Sequence, residues 1–200
     1  MLITEIIELP RGRRKIRLSD DSLITLYKGE LKQLNIEVGS ELTDEAYEEI
    51  MTEILPKRAK LRALALLTKR TYTEKQIRDK LYDGGYSENI IDSTIEYIKD
   101  KNCLNDYQYC RTYLAYNSAN KSKKRMISDL RSKGVSMDVI DKALSEAMDD
   151  GDMSDEEELI RKLIVKRHYD TESATYEERM KMMTYLYGKG FDTDVISRMI

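Results

Sequence analysis

The sequence predicts a mainly α-helical protein: tandem three-helix repeats forming an elongated, curved module, with a small β-rich N-terminal extension. Three observations favour this fold class. The chain has 200 residues, of which 36% are charged and 40% hydrophobic, a composition that suits amphipathic helices with one buried face. Its start contains short runs of mixed or alternating apolar and polar residues, which are typical of strands. The remainder contains one glycine-centred pattern three times.

The extension is predicted to occupy residues 1–55. It begins with three short apolar patterns, at residues 2–6, 15–18 and 23–27. Turn-forming residues separate them, which predicts a three-stranded antiparallel meander. A short helix near residues 30–34 is expected next, and then a helix from the N-cap Thr43 to about Ile54. Pro56 either separates that helix from the following one or opens the following one at its first turn.

The repeat is the most informative feature of the chain. In each copy, an apolar residue stands four before a leucine, the leucine stands four before a glycine, and an isoleucine stands six after it. The pairs are Leu81 with Gly85, Leu130 with Gly134, and Leu186 with Gly190. The two apolar residues share one helical face, and the glycine ends that helix because it adopts the left-handed conformation freely.

A further helix precedes each of these helices and another follows it, so the predicted unit has three helices. The glycines are spaced by 49 and 56 residues. Capping boxes are expected at Thr73, Ser154 and Thr175. Third helices are expected to begin at the caps Ser87, Ser136 and Asp192. The predicted limits of the repeats are 57–104, 105–150 and 154–200.

Catalytic and cofactor chemistry find little support in the sequence. One histidine and two cysteines, with no CxxC pair, make no recognisable zinc site, and no glycine-rich nucleotide-binding motif is present. No apolar run reaches the ~18 residues of a membrane span, and the N-terminus does not resemble a signal peptide. We therefore expect a cytoplasmic, non-enzymatic protein that uses no cofactor or metal and contacts no membrane.

Several segments resemble the RecX family of bacterial recombination regulators. Residues 63–70 are similar to the family's Ala-Leu-x-x-Leu-x-x-Arg string, and residues 73–81 to its Ser/Thr-Glu-x-Glu-Leu stretch with a later leucine. Residues 103–110 resemble its Leu-Asp-Asp-x-x-Phe-Ala box, and residues 189–196 its C-terminal end. The resemblance covers about residues 57–200, and the β-rich extension is similar to that of longer members.

Three departures from the family pattern concern the second repeat. Asn105 replaces the first aspartate of the box, and Tyr109-Cys110 replaces Phe-Ala. Both changes preserve a cap and a packed aromatic residue. The glycine usual before the middle helix is absent from residues 121–125, so the basic contacts there are expected to be arranged differently.

The resemblance implies a regulatory protein of DNA repair, DNA recombination and the SOS response. It implies binding to the RecA recombinase, or to the RecA–single-stranded DNA filament in its helical groove. It further implies that this binding suppresses filament growth and the ATPase, coprotease and strand-exchange activities of RecA. We expect the chain to act as a monomer, with weak direct DNA contact at most.

Basic residues gather in three clusters within the repeats, and these are the candidate partner-binding residues. Cluster 1 is Lys57, Arg58, Arg62, Lys69 and Arg70; cluster 2 is Lys121, Lys123, Lys124, Arg125, Arg131 and Lys133; cluster 3 is Arg161, Lys162, Lys166 and Arg167. Repeats stacked in register would align them on one side, a surface suited to an acidic partner or to phosphates. Acidic residues are also concentrated in two segments, with six carboxylates in residues 41–53 and seven in residues 149–158.

Other interpretations stay open. Each basic cluster is also explained as a solvated helix face without a partner. The basic face is alternatively a direct contact to single-stranded or duplex DNA, whose affinity would depend strongly on salt. A third alternative is a helical-repeat adaptor for a different protein. The 14 tyrosines favour packing over base stacking, because a tyrosine ring buries apolar area while its hydroxyl stays wet.

Overall fold

The computed structural model describes all residues from Met1 to Ile200. It confirms a mainly helical chain made of three-helix repeats with a small N-terminal sheet. The chain forms two compact units, Met1–Leu104 and Asn105–Ile200. The first unit contains the sheet and the first repeat, and the second unit contains the second and third repeats. No helix combines the length and the apolar character needed to cross a bilayer.

The N-terminal sheet is the predicted antiparallel meander, with the strands in chain order. Its strands are β1 (Ile3–Leu9), β2 (Arg13–Leu18) and β3 (Leu23–Tyr27). A single turn of 3-10 helix joins β1 to β2, with Arg11 in the left-handed conformation at φ 64°. The alternation of side chains along β2 buries Ile16 and Leu18, as expected for a sheet with one face on the core.

Five helices complete the first unit. They are α1 (Lys28–Gln33), α2 (Asp44–Glu49), α3 (Leu55–Leu67), α4 (Glu74–Tyr82) and α5 (Glu88–Asp100). The first repeat consists of α3, α4 and α5, and α3 packs against both other helices. One continuous core contains residues of the sheet and of the repeat, such as Leu26 and Ile77. The extension is therefore integrated with the first repeat by a shared core.

Pro56 does not separate α2 from α3. The backbone remains helical through a π-helical segment, Ile50–Ile54, and Pro56 lies in the first turn of α3. Its ring presets a helical φ, and the missing N–H is accommodated because the preceding segment has π-helical rather than α-helical hydrogen bonds, as the Leu55 N–H donation to the Ile50 carbonyl shows. The alternative in which proline opens the next helix is therefore the correct one.

Six helices form the second unit. They are α6 (Asp106–Asn117), α7 (Lys123–Ser132), α8 (Met137–Asp149), α9 (Glu156–Lys166), α10 (Tyr176–Gly188) and α11 (Thr193–Met199). The second repeat is α6 to α8, and the third is α9 to α11. Each has its own core, centred on residues such as Leu130 in one and Leu186 in the other.

The three repeat glycines end the middle helices as predicted. Gly85, Gly134 and Gly190 have φ angles of 84°, 85° and 91°. In the first repeat, the Tyr86 N–H donates to the Leu81 carbonyl at 3.4 Å, and the Gly85 N–H donates to the Tyr82 carbonyl at 2.8 Å. This pair of bonds defines a Schellman motif, and the other two repeats form the same pair.

The helix starts follow the predicted caps in part. Thr73 and Thr175 each form a capping box. Ser154 is not the cap of α9: Asp155 is, and its side chain accepts from the Glu157 N–H at 3.2 Å, because aspartate caps as well as serine and also favours a helix N-terminus. Ser87, Ser136 and Asp192 stand at the N-cap positions of α5, α8 and α11, but their side chains form no cap hydrogen bond.

The two cysteines are expected to react at very different rates. Cys103 is exposed, whereas Cys110 is buried in α6, and burial together with the charge of Asp106 raises the pKa of Cys110 to about 11. Only the thiolate attacks a disulfide reagent, so titration with an aromatic disulfide at pH 8 should show one fast and one slow thiol. Cys103→Ser should remove the fast phase. Two equally fast thiols would contradict this burial.

Candidate functional site

The structure divides cluster 1 into surface cations and internal cations. Lys57, Lys69 and Arg70 are exposed, and the guanidinium of Arg70 lies 4.5 Å from the centre of the Tyr72 ring. Arg62 is half-buried, with its Nη2 donating to the Lys80 carbonyl at 3.2 Å. Its Nε is buried without a hydrogen-bond partner. Three of the five residues are thus available to a partner.

Arg58 is committed to the interior of the first unit. Its guanidinium donates to a Glu30 carboxylate oxygen at 2.7 Å, to the Thr25 carbonyl at 2.5 Å and to the Tyr86 hydroxyl at 3.1 Å. It also lies 5.0 Å from the ring centre of Tyr27 and 5.4 Å from that of Tyr86. The side chain is 16% exposed. Arg58 therefore joins β3, α1 and α3, and offers little charge to a partner.

A partly buried polar network occupies part of cluster 2. The Lys121 ammonium donates to the Tyr113 hydroxyl and to an Asp129 carboxylate oxygen, both at 2.8 Å. The same tyrosine hydroxyl donates to Asp129 at 2.7 Å, and Arg125 Nε lies 3.2 Å from the other carboxylate oxygen. The network joins α6 to α7, so Lys121 stabilises the second repeat.

The same contacts shift the pKa values of this network. Burial alone would raise the pKa of Asp129, but hydrogen bonds from Lys121 and Tyr113, with the nearby positive charges, hold it below its usual range. Hydrogen bonding to Asp129, then to Tyr113, raises the pKa of Lys121. Both groups are therefore charged at neutral pH, and their pairing is lost as the pH falls through the lowered pKa of Asp129 or rises through the raised pKa of Lys121.

The remaining cluster 2 cations lie closer to the surface. Lys123, Lys124 and Arg131 are exposed, and Lys133 is half-buried. The ammonium of Lys124 stands 3.7 Å from an Asp192 carboxylate oxygen in the third repeat. An ion pair between two exposed groups is weak, so this contact leaves Lys124 available to another anion.

Cluster 3 follows one face of α9. Arg161 and Lys162 each pair with a glutamate one turn earlier, at 3.4 Å and 2.8 Å. Lys166 is exposed near the end of the helix. Arg167 is exposed as well, with its guanidinium 3.6 Å from the centre of the Tyr185 ring. The last two cations form no ion pair.

A cleft between the second and third repeats contains Lys121 and Arg125 of cluster 2 and lies beside Arg167 of cluster 3, which contacts the cleft residue Tyr185. Its volume is about 600 Å³. The second repeat lines it with Asn120, Lys121, Ser122 and Arg125, and the third with Leu163, Thr184, Tyr185, Gly188, Lys189 and Phe191. Its size falls within the ~300–1,000 Å³ typical of ligand pockets. We refer to it as the inter-repeat cleft.

The two walls of this cleft are held together by Ser122. Its hydroxyl donates to the Lys189 carbonyl at 3.0 Å and accepts from the Arg125 N–H at 3.2 Å, as the N-cap of α7. The ammonium of Lys189 lies 5.5 Å from the centre of the Tyr185 ring. Sequence reasoning missed Lys189, Tyr185 and the cleft itself. The repeat could have indicated Lys189, because it directly precedes a repeat glycine, as the cluster 2 residue Lys133 does.

The third helices of the first two repeats have an acidic outer surface. The exposed residues of α5 include Glu88, Asp92, Glu96 and Asp100, and those of α8 include Asp138, Asp141 and Asp149. In a helix-turn-helix protein that reads DNA, the helix after the turn enters the major groove. Carboxylates on that surface would repel phosphates, so these helices are unsuited to that role.

No group of three or more His, Cys, Asp or Glu side chains is arranged to hold a metal ion.

Comparison with known proteins gives a consistent family. Residues 59–97 match the profile of "RecX, first three-helix domain", and residues 155–200 match that of "RecX, third three-helix domain". The two matches include α4 in one case and all of α9 to α11 in the other.

Relatives matched over most of the chain are named after the same family. The chain is 29% identical to the "Regulatory protein RecX" of Caldanaerobacter subterraneus subsp. tengcongensis over 200 residues, 99% of this chain and 98% of that protein. It is 32% identical to that of Clostridium perfringens strain 13 over 159 residues, 78% of this chain and 73% of the relative. A crystal structure of regulatory protein RecX shares the fold, with a TM-score of 0.65, 24% identity, and coverage of 99% and 98%.

Proposed function

The chain belongs to the RecX family, and from this premise we propose that it binds the RecA recombinase or the RecA–single-stranded DNA filament and lowers its activity. It acts in the cytoplasm through binding and catalyses no reaction of its own. Family membership carries this proposal, since the relatives are named regulatory proteins. The exposed cations of the repeats support it as a surface that recognises a particular anionic nucleoprotein partner.

The binding residues we propose exclude the cations with internal roles. Each unit supplies its own exposed cations: the first supplies Lys57, Lys69 and Arg70, and the second supplies Lys123, Lys124, Arg125, Arg131, Lys166 and Arg167. Arg58 and Lys121 are excluded because their charges are satisfied within the fold. The repeats, with the limits 57–104, 105–150 and 154–200, are the proposed binding modules, and the chain acts as a monomer.

The direct test is the single-strand-dependent ATP hydrolysis of RecA with increasing amounts of this protein. We expect the rate to fall at stoichiometric ratios of protein to recombinase. Bovine serum albumin at equal mass serves as the control for nonspecific effects. An unchanged hydrolysis rate across that range would rule out the proposed regulation.

Direct DNA binding is the alternative function, and the exposed basic clusters favour it. The acidic surfaces of α5 and α8 argue against continuous contact with a nucleic-acid backbone. Binding through phosphates makes the logarithm of affinity fall steeply and linearly with the logarithm of salt concentration. Affinity for bare single strands that equals affinity for the filament, with such a slope, would support DNA as the primary partner.

Reversing exposed charges of cluster 2 should weaken filament binding. The triple change Lys123→Glu, Lys124→Glu and Arg131→Glu should lower affinity about tenfold or more, because like charges across an interface cost several kcal/mol. The matched control is Lys28→Glu, Lys32→Glu and Lys101→Glu, which makes the same charge change on exposed residues outside the clusters. Equal losses in both variants would show that only net charge matters.

A further inference from the structure

We propose that the inter-repeat cleft binds a short acidic peptide segment that carries an apolar side chain, and that the protein partner supplies this segment. This inference rests on the proposed function for the identity of the partner. The binding chemistry itself is testable without that partner. Three properties of the cleft carry the inference: its partly apolar lining, its exposed cations and the carboxylates next to it.

The lining provides a place for an apolar side chain. Leu163 and Tyr185 are half-buried at the cleft, and Phe191 is buried behind it. The volume of about 600 Å³ matches that of pockets for small ligands. A cleft of this size admits a few side chains and excludes a duplex. An occupant is therefore anchored by one apolar group among polar neighbours.

The cations at the cleft retain most of their capacity for an anion. The Arg125 side chain is 57% exposed, and only its Nε has an ion-pair contact, with Asp129 at 3.2 Å. Lys189 lines the cleft, and Arg167 lies beside it over the Tyr185 ring; both are exposed and contact only that ring among aromatic and acidic groups. A guanidinium holds carboxylates in a bidentate manner, so three positive groups stand ready for two or three carboxylates.

Two observations favour a peptide over a nucleic acid. Stacking on Tyr185 is restricted, because Arg167 lies 3.6 Å and Lys189 5.5 Å from its ring centre. Carboxylates also neighbour residues that line the cleft: Asp129 pairs with Arg125, and Asp192 directly follows Phe191. A continuous phosphate backbone would pass these negative groups, whereas a short peptide can place its own carboxylates only where the cations are.

Gly188 allows the cleft charge to be changed without removing any cation. It lies at the end of α10, lines the cleft, and has open space where a Cβ would stand. Replacing a helical glycine removes a conformational penalty of about 0.5–1 kcal/mol, so a side chain there should not unfold the chain. Gly188→Glu introduces a negative charge into the cleft, and Gly188→Gln introduces the same shape without charge.

The test is fluorescence anisotropy with a labelled peptide in which glutamates flank one phenylalanine. We expect the full chain and Gly188→Gln to bind this probe, and Gly188→Glu to bind about tenfold more weakly, since like-charge contact is strongly unfavourable. Replacing the phenylalanine of the probe with glycine should also weaken binding. Arg125→Gln with Lys189→Gln provides a second variant, with thermal unfolding as the check of folding.

Several outcomes would overturn the inference. They are absence of probe binding, equal binding by the glutamate and glutamine variants, or tighter binding of an oligothymidine with the same dependence on Gly188. The filament provides a separate measurement: Gly188→Glu should bind the filament more weakly than Gly188→Gln. If the unaltered chain does not change the ATP hydrolysis of RecA, the proposed function is refuted. Peptide binding that depends on the residue at position 188 would still establish the site.

Discussion

Arg58→Ala is expected to lower the free energy of unfolding of the first unit by about 3–5 kcal/mol. The substitution removes one cation that serves three groups: the Glu30 carboxylate, which keeps only the hydrogen bond from the Tyr27 N–H, the Thr25 carbonyl and the Tyr86 hydroxyl. Glu30 is 22% exposed, so water replaces the guanidinium poorly. An unpaired charge in such a place costs more than the lost attraction.

Urea unfolding followed by circular dichroism measures this effect. Lys57→Ala is the matched control, because it removes a charge from the preceding, exposed position of α3, where changes stay within about 0.5 kcal/mol. Combining Arg58→Ala with Glu30→Ala should be less damaging than the sum of the two single changes. An Arg58→Ala protein as stable as the Lys57→Ala protein would contradict the internal role of this arginine.

The repeat could be predicted from sequence because few residues determine it. A leucine and a glycine four residues apart specify both the buried face and the left-handed turn, and Gly85 illustrates how closely the structure follows them. Where two local structures were compatible with the sequence, the choice between them was less predictable. Ser154 and Asp155 are adjacent and both able to cap, and only the backbone decides that Asp155 begins α9. Pro56 is compatible with both predicted roles until the π segment is seen.

The candidate site was predictable as a charge pattern but not as a surface. A basic cluster in sequence does not distinguish Arg58 from Lys57, because the partners of Arg58 are distant in the chain. Tyr86 lies 28 residues after it and Thr25 lies 33 residues before it. The inter-repeat cleft has the same difficulty. Ser122 and Lys189 are 67 residues apart, so no window of sequence contains both walls.

Two of the repeat glycines also serve as contact points between neighbouring elements. A Cβ on Gly85 would stand 2.6 Å from the Thr25 hydroxyl oxygen, in strand β3. A Cβ on Gly190 would stand 2.7 Å from the Ser122 hydroxyl oxygen, at the start of α7 in the preceding repeat. Strand β3 therefore contacts the glycine turn of the first repeat. In the same way, the start of α7 in the second repeat contacts the glycine turn of the third repeat. The extension occupies the place of a preceding repeat, which is the position of a capping unit in repeat proteins.

Gly190→Ala should consequently destabilise the second unit by about 2–5 kcal/mol, through roughly 1–2 kcal/mol of left-handed strain and about 1–3 kcal/mol of overpacking against Ser122. Gly151→Ala is the control in the same unit, because its φ of 75° carries the strain while nothing lies within 4 Å. Urea unfolding of both variants separates the two costs. Gly85→Ala and Gly39→Ala form a second matched pair in the first unit, each with a φ of 84°. Equal stability within both pairs would mean that the glycines serve only the turn, whereas a larger loss at Gly85 and Gly190 would establish them as the points where the first and third repeats contact the element before them.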